Sequence, residues 1–388
     1  MPFDDRDFPN LPRSDRAASP ASRRMVGLWL YGVAFTILVM TGLGGATRLS
    51  GSGLSIMEWA PIMGALPPMS EDEWRRLFAL YQNIPQYSLL NDGFGLEGFK
   101  RIFWLEWSHR LWGRLIGVVF LLPAVWFAAT GRLERRLRPR LALFLILGGL
   151  QGGVGWFMVA SGFQPGATAV APIRLVLHLS LALLLYSAIL WTAFSLLPPG
   201  LLPPGPLPPG KSAAQPKGAI RPLAWATLLL TGATIVAGGF VAGLHAGLTY
   251  NTFPLMDGRV VPAGYADLEP FSRNLVENIA AVQFNHRVLA TATLLFAFVL
   301  AGAAWGRRGE LGWRASFVGA AALLQYGLGV TTLLMAVPAS LGLAHQLGAT
   351  ILLTAVLSIA HAVRGATPYP AQTRDRREGM SAFREPRS

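Results

Sequence analysis

The segment IRLVLHLSLALLLYSAILWTAFSL, residues 173–196, contains Arg174 as its only charged side chain. A helix of about 20 apolar residues spans the hydrocarbon core of a bilayer, so this segment is long enough to cross a membrane. Seven other segments share its length and apolar character, which predicts an all-α integral membrane protein with eight transmembrane helices. The predicted helices cover residues 26–46, 110–130, 141–160, 173–196, 223–243, 285–305, 315–337 and 341–363.

The composition of the whole chain also favours a lipid environment. Hydrophobic residues make up 52% of the 388 residues and charged residues 14%, whereas soluble domains carry about 25% charged residues. A soluble protein with a large core would have shorter apolar segments than these. The chain has no cysteine, which excludes disulfides, iron–sulfur clusters and thiolate ligands to haem.

The net charge of +13 is concentrated in short basic segments between the apolar ones and near both ends of the chain. Two of these segments are GRLERRLRPR (131–140) and GRRGELGWR (306–314). Because basic residues collect on the cytoplasmic side, we expect both termini to be cytoplasmic, with a polar tail at 1–25 and a basic tail at 364–388. No segment combines a basic face with exposed aromatic residues, which argues against a nucleic-acid partner.

A Pro-rich cytoplasmic linker at 197–222 divides the chain into halves, 26–196 and 223–363, and each half is predicted to form a four-helix bundle. Each half also has one long outer loop, at 47–109 and at 244–284. Long ordered loops are often functional.

Part of the first outer loop has its apolar residues at helical spacing. In EDEWRRLFALY, residues 71–81, these are Trp74, Leu77, Phe78 and Tyr81. This pattern predicts a helix that lies in the membrane interface.

The two halves resemble each other in sequence, which indicates an internal repeat. LGGLQGGVGWFM in the first half aligns with ALLQYGLGVTTL in the second, and RLVLHLSLALLL aligns with GLAHQLGATILL. Because each half has four crossings, the repeats are predicted to be related by an axis along the membrane normal. The matched polar residues are His109 with His286, Arg110 with Arg287, Gln151 with Gln325, and His178 with His345.

The four matched histidines are predicted to lie at a common depth, in the outer part of their helices. Ionisable residues within a bilayer are costly and usually functional, and histidine is a frequent ligand of haem iron. Two facing histidines in each bundle would ligate one porphyrin, although each could instead be a buried hydrogen-bonding residue. A zinc site would need three or four converging ligands. His245 and His361 have no repeat partner and are predicted not to bind metal.

Glu106 precedes His109 by one helical turn, so both side chains are predicted to project from one face. A carboxyl group there could accept a proton or hold a reacting water. The matching residue in the second half is Gln283, which cannot exchange a proton in this way. This difference predicts a reacting first half and an electron-carrying second half. The alternative is that Glu106 only balances the charge of Arg110.

Several arginines are predicted to lie near the outer ends of the helices, where haem propionates would emerge. Bidentate pairing with a carboxylate would orient the porphyrin; the alternative is that these side chains only extend from helix ends to the membrane surface. They are Arg48, Arg110, Arg174 and Arg287. Glycines that would allow close helix packing, or leave room for a cofactor, are Gly44, Gly45, Gly238 and Gly239.

At these residues the sequence resembles the haem A synthase family, over about residues 40–360. The matching stretches are GGATRLSGSGLSIMEWAP, ALYQNIP, EWSHRLWGR, HAGLTYNTFPLMDG, VQFNHRVLAT and LAHQLGAT. The resemblance implies oxidation of a methyl group of haem O to the formyl group of haem A, the cofactor of terminal oxidases, through hydroxylation and dehydration. It also implies an inner-membrane protein with its haem sites toward the outer side.

The same resemblance assigns roles to individual residues. His109 and His178 would hold the substrate haem O, His286 and His345 would ligate the iron of a haem b cofactor, and Glu106 would be catalytic. The absence of cysteine resembles the mitochondrial and alphaproteobacterial-like branch of the family. Implied partners are the lipid bilayer, a haem O synthase as supplier, and an electron carrier; an oligomer is left open.

Two other functions fit parts of the pattern. A di-haem b-type cytochrome would pass electrons without modifying haem, and would not need the difference between Glu106 and Gln283. A repeat-built transporter would have broken helices and polar residues at the membrane midplane, whereas the ionisable residues here gather at the outer end.

Overall fold

The computed structural model describes residues 19–197, 219–305 and 310–364, and these ranges contain helices and no β-strand. The predicted linker and the two tails therefore lie largely outside the described residues, as does part of the basic segment 306–314. The helices are α1 (Pro20–Leu49), α2 (Glu71–Gln82), α3 (Pro85–Leu90), α4 (Leu96–Ala129), α5 (Arg138–Val159), α6 (Pro172–Leu196), α7 (Ile220–Gly243), α8 (Ile279–Ala303), α9 (Glu310–Leu334) and α10 (Ala339–Ala362).

The prediction of eight transmembrane helices is confirmed. Among the described residues, eight helices are long and apolar enough to cross a membrane: α1 and α4 through α10. The first begins within the predicted tail because Ser19 accepts a hydrogen bond from the Ser22 N–H and Pro20 occupies the first turn. The cytoplasmic orientation of the termini stays a prediction.

The second membrane helix begins earlier than residue 110, the predicted start. α4 begins at Leu96, so the first outer loop ends before residue 109. The difference arises because residues 96–109 include charged side chains that lower the local hydropathy without breaking the helix. Phe99 and Phe103 lie in these early turns and are buried, and their burial stabilises the turns as part of α4.

The helix predicted within residues 71–81 is present as α2, and Ser70 caps its first turn by accepting a hydrogen bond from the Glu73 N–H. Its buried residues Trp74, Leu77 and Tyr81 pack on the early turns of α4. The apolar face of α2 therefore contacts α4, whereas we predicted that it would contact the membrane interface.

The eight long helices form two groups of four. In the first, α1 contacts α4 and α6, and α5 contacts α4 and α6. In the second, α7 contacts α8 and α10, and α9 contacts α8 and α10. The groups meet where α1 contacts α10 and where α6 contacts α7 and α10.

Each bundle is closely packed at one end. Buried residues there include Phe127, Phe144 and Phe194 in the first bundle, and Leu300 and Val356 in the second. The four matched histidines lie toward the other end, beyond the apolar cores. The packed ends hold the helices that carry the histidines in place.

Candidate functional site

Each bundle contains one pair of the matched histidines. His286 on α8 and His345 on α10 have ring centroids 6.5 Å apart and ring planes at 90° to each other. Metal–imidazole bonds of about 2 Å put two opposed nitrogens about 4 Å apart, and the centroids lie farther back. The spacing of this pair therefore fits one iron ion between the rings. In the first bundle, His109 lies on α4 and His178 on α6, the helices that match α8 and α10.

A glycine on a neighbouring helix lies against each of the four histidine rings. A Cβ at Gly155 would be 2.9 Å from His178, and a Cβ at Gly329 would be 2.7 Å from His345. Gly238 beside His286 and Gly44 beside His109 would put a Cβ at 3.0 and 3.3 Å. A side chain at these positions would displace the rings, so the glycines let each imidazole lie directly on a helix backbone.

Gly44 and Gly238 were predicted from the sequence, whereas Gly155 and Gly329 were missed. The other predicted glycines, Gly45 and Gly239, face the opposite bundle: a Cβ at Gly45 would be 2.7 Å from Gln346, and one at Gly239 would be 3.0 Å from Val176. The predicted pairs therefore serve both purposes, ring contact and close helix packing.

Three of the four histidine rings are held by a hydrogen bond. Nδ1 of His178 lies 3.1 Å from Nε2 of Gln151, and Nδ1 of His345 lies 3.0 Å from Nε2 of Gln325. Nδ1 of His286 lies 3.1 Å from the carbonyl oxygen of Thr234. The ring of His109 makes no hydrogen bond to any described residue.

Glu106 is a buried carboxylate, 3% exposed, whose Oε1 accepts a 2.7 Å hydrogen bond from Nε of Arg110. Oε2 accepts no hydrogen bond from the described residues and faces Gly53, where a Cβ would lie 3.9 Å away. The ion pair agrees with the charge-balancing alternative, but the second oxygen stays available to a reactant. Glu106 and His109 are one turn apart on α4, so the carboxylate and the imidazole project from the same face of the helix.

Gln283, the matching residue, is equally buried but fully occupied. Its Nε2 donates to the carbonyl oxygens of Ala246 and Tyr250 at 2.8 and 3.3 Å. Its Oε1 accepts from Nη2 of Arg287 at 3.1 Å. The second bundle therefore uses this position to hold its outer loop.

Arg110 and Arg287 donate mainly to outer-loop carbonyls. Arg110 donates to Ile56 and Glu58 at 2.7 and 2.9 Å, and Arg287 donates to Tyr250 and Thr252 at 2.8 and 2.9 Å. Together with the bond of Arg110 to Glu106 and of Arg287 to Gln283, these bonds use three of the five N–H donors of each guanidinium, and Nε of Arg287 is buried without a partner among the described residues. Both residues therefore fix the loops above their histidine pairs.

The other two arginines differ from this pair. Arg174 donates to the Phe157 carbonyl at 2.8 Å and lies over the Phe157 ring. The guanidinium of Arg48 makes no hydrogen bond or ion pair with any described residue. Burial and the charge of Arg48 both lower the pKa of His245, which places His245 near this arginine. A role for Arg48 and Arg174 in binding propionates stays a prediction.

The two unmatched histidines lie apart from the pairs. His361 is buried near the packed end of the bundles and lies 3.0 Å from the hydroxyl of Ser195. His245 follows α7 in a left-handed conformation with φ 52°.

The donor set and its surroundings fit haem. Each bundle presents two imidazoles, a flat backbone surface made by glycines, and an arginine-fixed loop above them. Neutral imidazole is a common axial ligand of haem iron, and four-helix bundles hold such cofactors between facing helices.

Comparison with known proteins agrees with this geometry. Residues 27–357 match the family of cytochrome oxidase assembly proteins. The chain is 58% identical over 353 residues to "Heme A synthase" of Granulibacter bethesdensis, covering 90% of this chain and 91% of that one. It is 48% identical to "Heme A synthase 2" of Acidiphilium cryptum, with 90% and 94% covered, and 47% identical to "Heme A synthase" of Rhodospirillum centenum, with 91% and 92% covered. This chain belongs to the cytochrome oxidase assembly protein family.

Proposed function

We propose that this protein is a haem A synthase, a membrane oxidoreductase that converts a methyl group of haem O into the formyl group of haem A. The observation that carries the proposal is the difference between two otherwise matched histidine sites. Glu106 has a free carboxylate oxygen in one, and Gln283 is fully hydrogen-bonded in the other. The names of the similar proteins support the same activity.

In this proposal the first bundle binds the substrate. His109 and His178 hold haem O, and the unbonded ring of His109 is the ligand that releases when product leaves. Each of two successive hydroxylations of the methyl group uses one dioxygen, two electrons from the electron carrier and two protons, and releases one water. Together they give a geminal diol, and loss of water gives the aldehyde. Glu106 accepts a proton or orients a water beside the methyl group through its free oxygen.

The second bundle holds haem b through His286 and His345. Haem b bound by these two residues would supply one-electron transfer to and from the substrate site. Both rings of this pair are hydrogen-bonded, as expected for a cofactor that stays bound. The proposal also includes two partners: a haem O synthase that supplies the substrate, and a separate electron carrier. It places the protein in the inner membrane, with the histidine sites toward the outer side.

The activity is tested by expressing the protein with a source of haem O and an electron supply, then analysing extracted haems by chromatography and mass spectrometry. We expect hydroxylated haem O and haem A. Unmodified haem alone would instead support the di-haem cytochrome.

The role of Glu106 is tested with Glu106→Gln, which keeps the size of the side chain and its bond from Arg110. We expect haem A formation to fall about 10²- to 10⁴-fold, with bound haem unchanged in the absorbance spectrum. Glu97→Gln, the same change at an exposed glutamate on the same helix, is the control and should keep the activity. Loss of bound haem in Glu106→Gln would assign Glu106 to structure.

A further inference from the structure

Gln151 on α5 and Gln325 on α9 occupy matching positions and contact one histidine each. Nε2 of Gln151 lies 3.0 Å from the carbonyl oxygen of His178 as well as near its Nδ1. Nε2 of Gln325 lies 2.8 Å from the carbonyl oxygen of His345 and likewise near its Nδ1. Each amide therefore reaches both the backbone and the ring of the same histidine.

Both amides also leave one atom unsatisfied. Oε1 of Gln151 and Oε1 of Gln325 are buried and accept no hydrogen bond. A buried acceptor without a donor is costly, so native structures seldom keep one without a purpose. That it occurs at matching positions in both bundles points to a donor that arrives with the ligand.

The chemistry of a metal-bound imidazole supplies such a donor. When Nε2 binds a metal, Nδ1 carries the proton and requires an acceptor, which fixes the rotation of the ring. The structure gives Nδ1 of His178 and of His345 no side-chain partner other than these glutamines among the described residues. In the present arrangement the amide nitrogen is nearest to Nδ1, which suits a ring that is protonated on Nε2.

We infer that Gln151 and Gln325 are positioning residues, whose amides turn when haem binds so that Oε1 accepts a hydrogen bond from the Nδ1–H of His178 or His345. The turn gives the orphaned oxygen its donor, and the amide gives up its hydrogen bond to the histidine carbonyl, 3.0 Å at Gln151 and 2.8 Å at Gln325. A glycine one helical turn further on, Gly155 or Gly329, lies against Cε1 of the same ring. This inference rests on the proposed function, since it needs haem in the bundles.

The inference is tested at Gln325 in the purified holoprotein, by potentiometric titration of haem b absorbance and by EPR of the ferric form. Gln325→Glu supplies a stronger acceptor, so the midpoint potential should become more negative while the ring keeps its rotation. Gln325→Leu removes the acceptor and frees the ring. Its potential should become more positive, and haem affinity should fall about 10- to 100-fold.

EPR separates positioning from a general loss of structure. The largest g value of a bis-imidazole ferric haem is highest when the two ring planes are perpendicular, as the rings of His286 and His345 are at 90°. It falls as the planes approach parallel. We expect Gln325→Leu to lower it and Gln325→Glu to preserve it. Gln151→Glu, the same change in the other bundle, is the control and should leave both haem b signals unchanged.

Two outcomes would overturn the inference: an unchanged potential in Gln325→Glu with haem b retained, or an unchanged largest g value in Gln325→Leu. Failure of the proposed ligands is recognised separately with His345→Ala. If that variant keeps the haem b spectrum, the ligand assignment is at fault. If it loses the spectrum while the glutamine variants behave like the unchanged protein, only the inference about the glutamines fails.

Discussion

At the scale of single residues, the histidine sites depend on glycines, because a glycine has no side chain to collide with the imidazole ring. Where each ring meets its neighbouring helix, a glycine lets the imidazole lie on the backbone, and one added carbon would come within 3.3 Å of the ring in every case. Because protein interiors are close-packed, a ring displaced by such a contact moves away from its partner ring. The glycines therefore set the spacing of the histidine pair as firmly as the histidines do.

This argument predicts the effect of Gly329→Ala. The new Cβ would meet Cε1 of His345, so the ring would shift and haem b binding should weaken by about 10-fold or more. Gly327→Ala is the matched control, because a Cβ there has no atom within 4 Å. The measurement is the haem content per protein, read from the absorbance of the two purified variants. It should be lower in Gly329→Ala than in Gly327→Ala. Equal haem content would show that the ring tolerates the added carbon.

The sequence was sufficient to identify polar and ionisable residues that stand within apolar helices. Histidines and a glutamate inside apolar helices are rare, so His109, His178, His286, His345 and Glu106 could be selected from one chain. Gly155 and Gly329 could not, because glycine is common in transmembrane helices. A signal was nevertheless present, since both follow a matched glutamine by one helical turn, at Gln151 and Gln325.

At the scale of elements, one loop segment lies beside the first bundle, at the level where α4 enters the hydrocarbon core. This segment, residues 56–69, is named the strap here. Arg110 holds its first part, and Arg114 donates to the carbonyls of Ala60 and Pro61, both at 2.8 Å. Counting about 20 residues back from Ala129 reaches this level of α4, the outer boundary of the hydrocarbon core.

The apolar side chains in the later part of the strap are exposed, whereas those at its start pack on the protein. Ile62 is 82% exposed and Met69 is 85% exposed, and Met63 and Leu66 are exposed as well. Trp59 is also exposed, and its ring stacks on Trp156 of α5 at 6.0 Å. Exposed apolar patches rimmed by polar residues mark contact surfaces. At this depth the contacting medium is lipid, so we expect the strap to lie in the outer leaflet.

Because the chain has no cysteine, a single one can be labelled cleanly. A fluorophore on Met63→Cys in lipid vesicles should be quenched by lipids that carry a quencher on the acyl chain and protected from iodide in water. The same label on Asp92→Cys, in the loop before α4, should show the reverse. Iodide quenching at both positions would place the strap in water.

The strap is also tied to α2, and this tie depends on pH. Arg76 donates to Glu58 of the strap at 2.8 Å and to Glu73 at 2.9 Å, and these hydrogen bonds lower the pKa of both carboxyl groups. A lowered folded-state pKa means that the tie is complete above the ordinary carboxyl pKa, about 4.3, and is lost as pH falls through the lowered value.

We therefore expect the fluorescence of the Met63→Cys label to be constant from about pH 6 to 8 and to change only in acid. Arg76→Ala should remove this acid step, and because these groups are exposed it should cost at most about 1 kcal/mol of stability. An acid step that persists in Arg76→Ala would assign it to other groups.

Element boundaries show where hydropathy alone is insufficient. The lengths of the apolar segments gave the eight helices, because crossing a bilayer requires a nearly constant length. The start of α4 was missed because its first turns are polar by composition and buried by α2, a contact that only the folded chain reveals. The strap was missed for a related reason, since its position depends on two arginines of α4 that bind its backbone.

At the scale of the whole molecule, the two bundles differ at the seam between their second and third membrane helices. In the second bundle, the hydroxyl of Tyr326 on α9 lies 3.0 Å from the hydroxyl of Thr291 on α8. The residue matching Tyr326 in the first bundle is Gly152, and a Cβ there would have no atom within 4 Å. The seam between α4 and α5 is therefore open where that between α8 and α9 is bridged.

Because the two bundles are repeats, the residue at each seam can be replaced by its counterpart from the other bundle. If haem O enters from lipid between α4 and α5, Gly152→Tyr should slow its uptake, seen as a smaller spectral change on titration with haem O, while haem b is retained. Tyr326→Gly removes the bridge in the second bundle, so haem b should be lost more readily during purification. Together these changes would give the first bundle the bridged seam of the second, and the second bundle the open seam of the first. Unchanged uptake in Gly152→Tyr would mean that haem O enters by another route, because a tyrosine at that position fills the space the seam offers.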